Sequence, residues 1–273
     1  MTTPIRNPDA VSEADFGPLG QQGCLSAYSR SGFGHSINQD QLGWGPGFIA
    51  VTDGVGSGAL PELASLILLE ALRTLRWPNP QSLDALLKKA DKDIAFALSR
   101  RGLGAGASVF AAAWIDDGAD GQHPVQIRVA HAGDCKLLHL RPTPSGAWNI
   151  IWQTIDQSYT QLGIPPPTGI SAASPANMIG CGMSAPASCN TLLMEPGDRL
   201  LLCSDGAQPL LNPNWLTQWM KCFPAPLTPP VAQVWCEKAM NLGNQDDVSI
   251  LLLEYRPSDT RQGKARSWWR QWG

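Results

Sequence analysis

Short continuous apolar runs alternate along this chain with longer stretches at helical spacing. Phe48–Thr52 is an apolar run that ends in the Asp53-Gly54 turn, which predicts a strand. Pro61–Trp77 has helical spacing, with Leu63, Leu66, Ile67 and Leu75 among its apolar positions. A second helix is predicted over Ser82–Arg100, with Ser82 as N-cap. Strands are predicted near Ser108–Ile115 and Val125–Ala132, and DDGADGQHP between them carries hairpin turn residues. A strand leads into Asp134, another follows through Lys136–Leu140, and Trp148–Thr154 reads as the next. Gly163–Ser188 is rich in Pro, Ser, Ala and Gly, which predicts an irregular segment of the kind that forms a mobile flap. Arg199–Cys203 and Val248–Tyr255 read as strands, and Asn214–Lys221 and Pro230–Met240 as short helices. No internal repeat is visible. Hairpin-linked strands with two central and two late helices predict layered sheets with helices outside.

Composition narrows the class. The 273 residues suit one large domain or two small ones, and 43% apolar with 16% charged residues supports a sizeable core. Residues 1–20 read as a loose leader, 21–256 as the folded body and 257–273 as a basic tail with three tryptophans. That tail reads as docked on its own domain or disordered, against a rival reading as a membrane or partner contact. A net charge of -3 without a basic stripe argues against nucleic acid. The polar, acidic first residues do not resemble a signal peptide, and the most apolar stretch, Leu63–Leu75, is broken by Glu70 and Arg73. Seven scattered cysteines without a C-x-x-C pair argue against zinc and suit reduced thiols in a cytoplasm.

Five aspartates share one setting, at or beside the end of an apolar strand: Asp40 in INQD, Asp53 in AVTDGVGSG, Asp134 in AHAGDC, Asp205 in LLCSDG and Asp246 in NQDDVSILLL. A lone Asp-Gly is usually only a turn. Five in this order suggest functional groups on a rigid scaffold. Were they to converge, each pair of charges ~5 Å apart would cost roughly 3 kcal/mol at an effective dielectric of 20. Lys136 is the one basic residue inside these motifs, so cations must supply the balance. All-oxygen ligands select Mg2+ or Mn2+, and four carboxylates match two divalent ions, the composition of a two-metal hydrolase.

The ordered series NQD, VTDGVGSG, AHAGDCKLLHL, MEPGDRLLLCSDG and DDVSILLLEY resembles the type 2C, or PPM, protein phosphatases over nearly the whole chain, from about Gly23 to Tyr255. The resemblance implies an α+β fold, an α-β-β-α sandwich of two antiparallel sheets flanked by helices. It implies a metal-dependent phosphatase acting on phosphoserine and phosphothreonine, with two Mg2+ or Mn2+ ions and a third, weaker one. The first ion falls to Asp53, Asp205 and Asp246. The second falls to Asp53 and the Gly54 carbonyl, with Asp40 reached through water. Asp134 with Asp205 matches the third. A phosphorylated protein substrate, a partner kinase system and a monomeric chain go with this reading.

The pattern departs where substrate is held. Many family members have an arginine about five residues before the NQD aspartate; here it is His35, read as a phosphate contact, a general acid or a polar loop histidine. Ser57 replaces a usual glycine, and Lys136 stands where arginine is usual, keeping charge without the bidentate fork. His131 and His139 flank Asp134 and read as structural, with His131, Gly133 and Cys135 alternating along one strand face. Cys24–Arg30 and Cys135–Arg141 match the C-x5-R spacing of cysteine phosphatases. They lack the internal glycine that lets backbone amides curl around phosphate, so they read as chance. Two other functions compete: a pseudophosphatase that binds phosphoproteins without cleaving them, and a hydrolase of another phosphate ester.

Overall fold

The computed structural model describes residues 23–56, 60–104, 106–116, 124–222 and 231–256. The proposed leader, the proposed tail, Ser57 and most of the DDGADGQHP loop lie outside them. Ten strands form two antiparallel five-stranded sheets. The first is ordered β1-β10-β9-β6-β7, from β1 (Gly23–Arg30), β6 (Lys136–Pro142), β7 (Trp148–Gln153), β9 (Arg199–Cys203) and β10 (Val248–Tyr255). The second is ordered β2-β3-β4-β5-β8, from β2 (Gln41–Gly45), β3 (Phe48–Val55), β4 (Ala107–Ile115), β5 (Val125–Ala132) and β8 (Ser188–Met194). Helices α1 (Pro61–Leu72) and α2 (Pro80–Ser99) cover the second sheet; α4 (Pro213–Cys222) and α5 (Val231–Asn241) cover the first. A short α3 (Tyr159–Leu162) and a 3-10 helix (Asp205–Leu210) complete the described elements.

Strand alternation explains the layering, because successive side chains point to opposite faces. Along β4, Val109, Ala111 and Ala113 face the opposing sheet, while Phe110, Ala112 and Trp114 face α1 and α2. Along β9 and β10, Leu200, Leu202, Leu251 and Leu253 enter the layer between the sheets, and Leu201, Cys203, Ile250 and Leu252 pack under α5. Central strands buried on both faces are therefore apolar at nearly every position: all nine residues of β4 are buried, and its one polar side chain, Ser108, donates to the Asp53 carbonyl. Each fully buried leucine contributes about 1.5–3 kcal/mol. One buried ion pair interrupts this: Arg199 on β9 bonds Glu254 on β10 at 2.7 and 2.9 Å, both nearly inaccessible, with the Trp148 ring 4.4 Å from the guanidinium.

The sandwich matches the expected architecture, with local differences. Helix α2 begins at Pro80, not Ser82; Asn79 is the cap, accepting from Ser82 N, while the Ser82 hydroxyl accepts from Asn79 N. Helix α1 stops at Leu72 rather than reaching Trp77. The Leu75 carbonyl accepts from Trp114 Nε1 instead of continuing the helix, and the prolines at 78 and 80 disfavour helical backbone before them. Gly133, Asp134 and Cys135 form a turn between β5 and β6, so the predicted strand-face alternation through Gly133 and Cys135 does not occur. Irregular chain between α3 and β8 fits the predicted segment. Its later half is tied down, since Asn177 Oδ1 accepts from Ser184 N and Ala185 N, and Asp91 Oδ1 accepts from Gly180 N and Gly182 N. Strands β1, β2 and β8 were not predicted as distinct elements.

Candidate metal centre

Four of the five aspartates line one cavity of about 640 Å³ at one end of the sandwich: Asp53, Asp134, Asp205 and Asp246. They come from both sheets. Asp53 lies in β3, and Asp134 in the turn from β5 to β6. Asp205 follows β9 at the start of the 3-10 helix, and Asp246 precedes β10. Asp40, 4% exposed, does not line this cavity but an adjoining one; its charge raises Asp53, and that of Asp205 raises Asp40. Glycine is needed at two of these places; Asp53-Gly54 is not the expected turn, since β3 continues through both to Val55 in register with β4. Gly133 has φ +88, and a Cβ there would lie 2.1 Å from Val109 Cγ1. At Gly54 a Cβ would lie 2.3 Å from the Pro61 carbonyl oxygen, so β3 can run directly under the start of α1.

The electrostatics are those of an anionic site awaiting positive charge. Burial, then the carboxylates of Asp247 and Asp205, raises Asp40 to about 8, against the pull of hydrogen bonds from Ser204 and Ser249. Burial and Asp205 raise Asp134 to about 7; burial and Asp246 raise Asp205 to about 6. Burial, followed by Asp40, Asp205, Asp134 and Asp246, pushes Asp53 well above the carboxylate range. No lysine or arginine is among the described residues lining the cavity. Lys136 is engaged by Asp156 instead. Asp40 Oδ1 and Asp205 Oδ1 are buried and make no hydrogen bond, an arrangement that costs energy unless a ligand completes it. Converging carboxylate oxygens with no lysine or arginine among the described lining suit Mg2+ or Mn2+, so the donor set fits the expected ions.

Beneath Asp40 runs a buried polar network that sequence reading missed. Ser204 Oγ donates to Asp40 Oδ2 at 2.7 Å, and Ser249 N donates to Ser204 Oγ. Ser249 Oγ and Ser29 Oγ lie 2.6 Å apart, Asn38 Nδ2 donates to Ser29 Oγ, and Asp40 N donates to Asn38 Oδ1. Asn38, Ser204 and Ser249 were all within the quoted motifs, so the signal was present; their contact spans up to 220 residues of sequence. Asp247 was missed too. It is 2% exposed, and its two oxygens accept from Gly32 N at 2.8 Å and Gln39 N at 2.7 Å, closing the loop that carries His35. His35 lines the cavity, with Nδ1 3.1 Å from Asp247 Oδ2 and 3.6 Å from Asp246 Oδ1, without a well-aligned hydrogen bond. This trio could approach one ion. Because both Asp247 oxygens are occupied by backbone amides, we read it as a positioning unit.

The remaining sequence candidates fall to structural roles. His131 Nε2 is 2.8 Å from the Ile155 carbonyl oxygen, and burial lowers its pKa. His139 sits on the other sheet, 2.7 Å from Asp198. Cys24–Arg30 lies within β1, whereas Cys135 is buried in a carboxylate-rich setting that pushes its thiol well above the usual range. Neither offers the amide cradle and accessible thiolate of a cysteine phosphatase.

No family model matches the chain, and no curated protein matches it significantly. Solved structures do. The chain is similar to the Mycobacterium tuberculosis serine/threonine phosphatase PstP/Ppp, with 22% identity, a TM-score of 0.67, and 86% of this chain and 99% of that one covered. The PstP catalytic domain has also been solved in complex with 2 manganese ions. PppA of Pseudomonas aeruginosa, a regulatory component of its T6SS, is similar at 21% identity and TM-score 0.64 over 89% of this chain and 100% of that one. The PPM Ser-Thr phosphatase MsPP of Mycobacterium smegmatis, in complex with cacodylate, is similar at 20% identity and TM-score 0.64, covering 84% and 97%. With both sheets, their order and the flanking helices in place, the chain has the fold of the PPM serine/threonine phosphatases.

Proposed function

We propose that this chain is an active, metal-dependent protein phosphatase of the PPM family that hydrolyses phosphoserine and phosphothreonine. The observation that carries the proposal is the convergence of Asp53, Asp134, Asp205 and Asp246 on one cavity lined by no lysine or arginine among the described residues. The similarity to phosphatases, one of them with two manganese ions bound, supports the same reading. Asp53, Asp205 and Asp246 would hold one Mg2+ or Mn2+. Asp53 with the Gly54 carbonyl, and Asp40 through water, would hold a second; Asp134 with Asp205 would hold a third, weaker ion. Bound ions supply Lewis acidity and a water of lowered pKa at neutral pH. The chain's own residues do the rest. Ser204 fixes the orientation of Asp40, Asp247 fixes the loop of His35, and His35 faces the substrate phosphate or its leaving oxygen.

The substrate is then a phosphorylated protein and the natural counterpart a kinase system. No described helix is long and apolar enough to cross a membrane, and the proposal places the chain in the cytoplasm as a monomer. The test is turnover of phosphopeptides with titrated Mn2+ or Mg2+ and a chelator control. Full turnover in chelator overturns the metal assignment. Phosphopeptide binding without turnover at saturating Mn2+ makes the chain a pseudophosphatase, and turnover of small esters alone makes it a hydrolase of a different phosphate ester.

A further inference from the structure

A second cavity of about 580 Å³ adjoins the acidic one, and Ile37, Leu60 and Glu62 line both. One wall, on α1, is aliphatic, with Leu63 and Leu66 only half-buried; the opposite wall is polar and includes Ser29, Asn38 and Asp40, and Arg101 stands at the edge without an ion pair among the described residues. Leu60 divides the two cavities and is the unusual residue. Among the described residues it alone, apart from glycines, has a positive φ, at 52°. A left-handed leucine costs roughly 1–2 kcal/mol, and such strain persists where the surroundings impose it, often at ligand sites. Burial does not repay it here, because Leu60 is 36% exposed, as is Ile37 at 56%. Leu60 also caps α1 without any side-chain hydrogen bond. Its backbone carbonyl caps α1 by accepting from Leu63 N and Ala64 N, while its side chain presents apolar surface beside the candidate centre rather than filling the core.

We propose that this second cavity is a specificity pocket, which receives an aliphatic side chain next to the phosphorylated residue of a protein substrate. The inference rests on the phosphatase reading for its orientation: a chain that delivers a phosphorylated side chain to the aspartates and runs on past Leu60 meets this wall. Ile37 and Leu60 are shared with the acidic cavity, whereas the half-buried leucines Leu63 and Leu66 extend the apolar wall only in the second one.

The test compares two peptides containing the non-hydrolysable residue phosphonomethylalanine, identical except for leucine or alanine at the two flanking positions on each side. Fluorescence anisotropy on the full chain is expected to show the leucine peptide binding about tenfold more tightly. Leu66→Gln, which keeps a good helix former outside the acidic cavity, is expected to reduce that ratio to near one while small-ester turnover stays unchanged. Equal affinities of the two peptides for the unaltered chain overturn the inference, as does a ratio untouched by Leu66→Gln in a folded protein. Turnover of the matching phosphoserine peptides with Mn2+ is read separately. Its absence counts against the phosphatase reading, while the affinity ratio still decides whether the pocket exists.

Discussion

Removing metal should make the fold lose stability as pH rises, and the carboxylates set how much. Asp40 is raised to about 8, Asp134 to about 7 and Asp205 to about 6, each from an ordinary 3.8. Above pH 6 the unfolded chain has already released these protons, while the metal-free native state retains part of them. The native state therefore binds more protons, and stability must fall with rising pH. Between pH 6.5 and 8, Asp40 keeps its proton over most of the interval and Asp134 over about a third of it. At 1.36 kcal/mol per unit this amounts to about 2–3 kcal/mol. His131, neutral when buried, opposes the trend by a few tenths of a kcal/mol at the acid end, since its unfolded counterpart still titrates near 6.5. The net loss is about 2 kcal/mol, or about 4–8 °C in Tm for a chain of this size; Asp53 adds to it in the same direction. Thermal and urea denaturation in chelator at pH 6.5, 7.25 and 8 measure it. Saturating Mn2+ should remove the slope, because the ions replace the protons. A flat or rising stability in chelator, or a slope that Mn2+ leaves intact, refutes the claim that these carboxylates crowd one another.

Four further outcomes follow from the geometry. Asp53→Asn should lower phosphopeptide turnover by at least 10^3-fold, with metal-free Tm equal to the parent or higher because a strained buried acid is gone; turnover within tenfold of the parent contradicts its shared-ligand role. Asp247→Ala frees Gly32 N and Gln39 N and should cost about 3 kcal/mol in urea denaturation, with faster amide exchange at those two residues; unchanged exchange would show that Asp247 does not hold the loop. His35→Ala should raise KM for phosphopeptide if the ring contacts phosphate, with His35→Arg restoring it. If His35 is instead the proton donor, kcat should fall by roughly 10^2 to 10^4, arginine should not rescue, and esters with good leaving groups should be spared. Glu254→Gln strands the Arg199 charge between the sheets and helices and should cost about 3–5 kcal/mol, leaving kcat unaltered at temperatures where the protein is folded; a Tm within 2 °C of the parent would mean the pair is not needed.

The sequence was most legible where burial is complete. The bounds of β9 and β10 agree with the apolar runs, because both strands are buried throughout and have polar residues only at or near their ends; β5 was legible from its apolar positions and the turns around it despite Gln126 and Arg128. The three strands not predicted, β1, β2 and β8, are all sheet edges. Such strands carry serines, glutamine, asparagine and glycine that interrupt the apolar run, and their partners can be distant, as when Ser26 Oγ accepts from Ala232 N 206 residues away. The aspartates were legible because each motif is local. The Asp40 network and the Asp247 clamp were not, since a hydrogen bond between Asp247 and Gly32 leaves no periodic trace across 215 residues. The capping of α2 shows the same limit at short range: both Asn79 and Ser82 can cap, and only the geometry distinguishes the cap from its reciprocating partner.

The clamp from Asp247 to the amides of Gly32 and Gln39 also fixes when in the life of the chain a site can exist. The His35 loop is among the first described segments to be synthesised, and the carboxylate that closes it follows 208 and 215 residues later. During translation the early loop must wait, open, until β10 emerges and zips onto β1 along eight residue pairs. Pairing so distant in sequence is slow to form relative to local structure. Asp53 and Asp40 are therefore present from the start without a complete set of companions. A chain that stops before residue 246 lacks both Asp246 and β10, so the set of aspartates around the cavity is complete only once the strand that carries the clamp has been made.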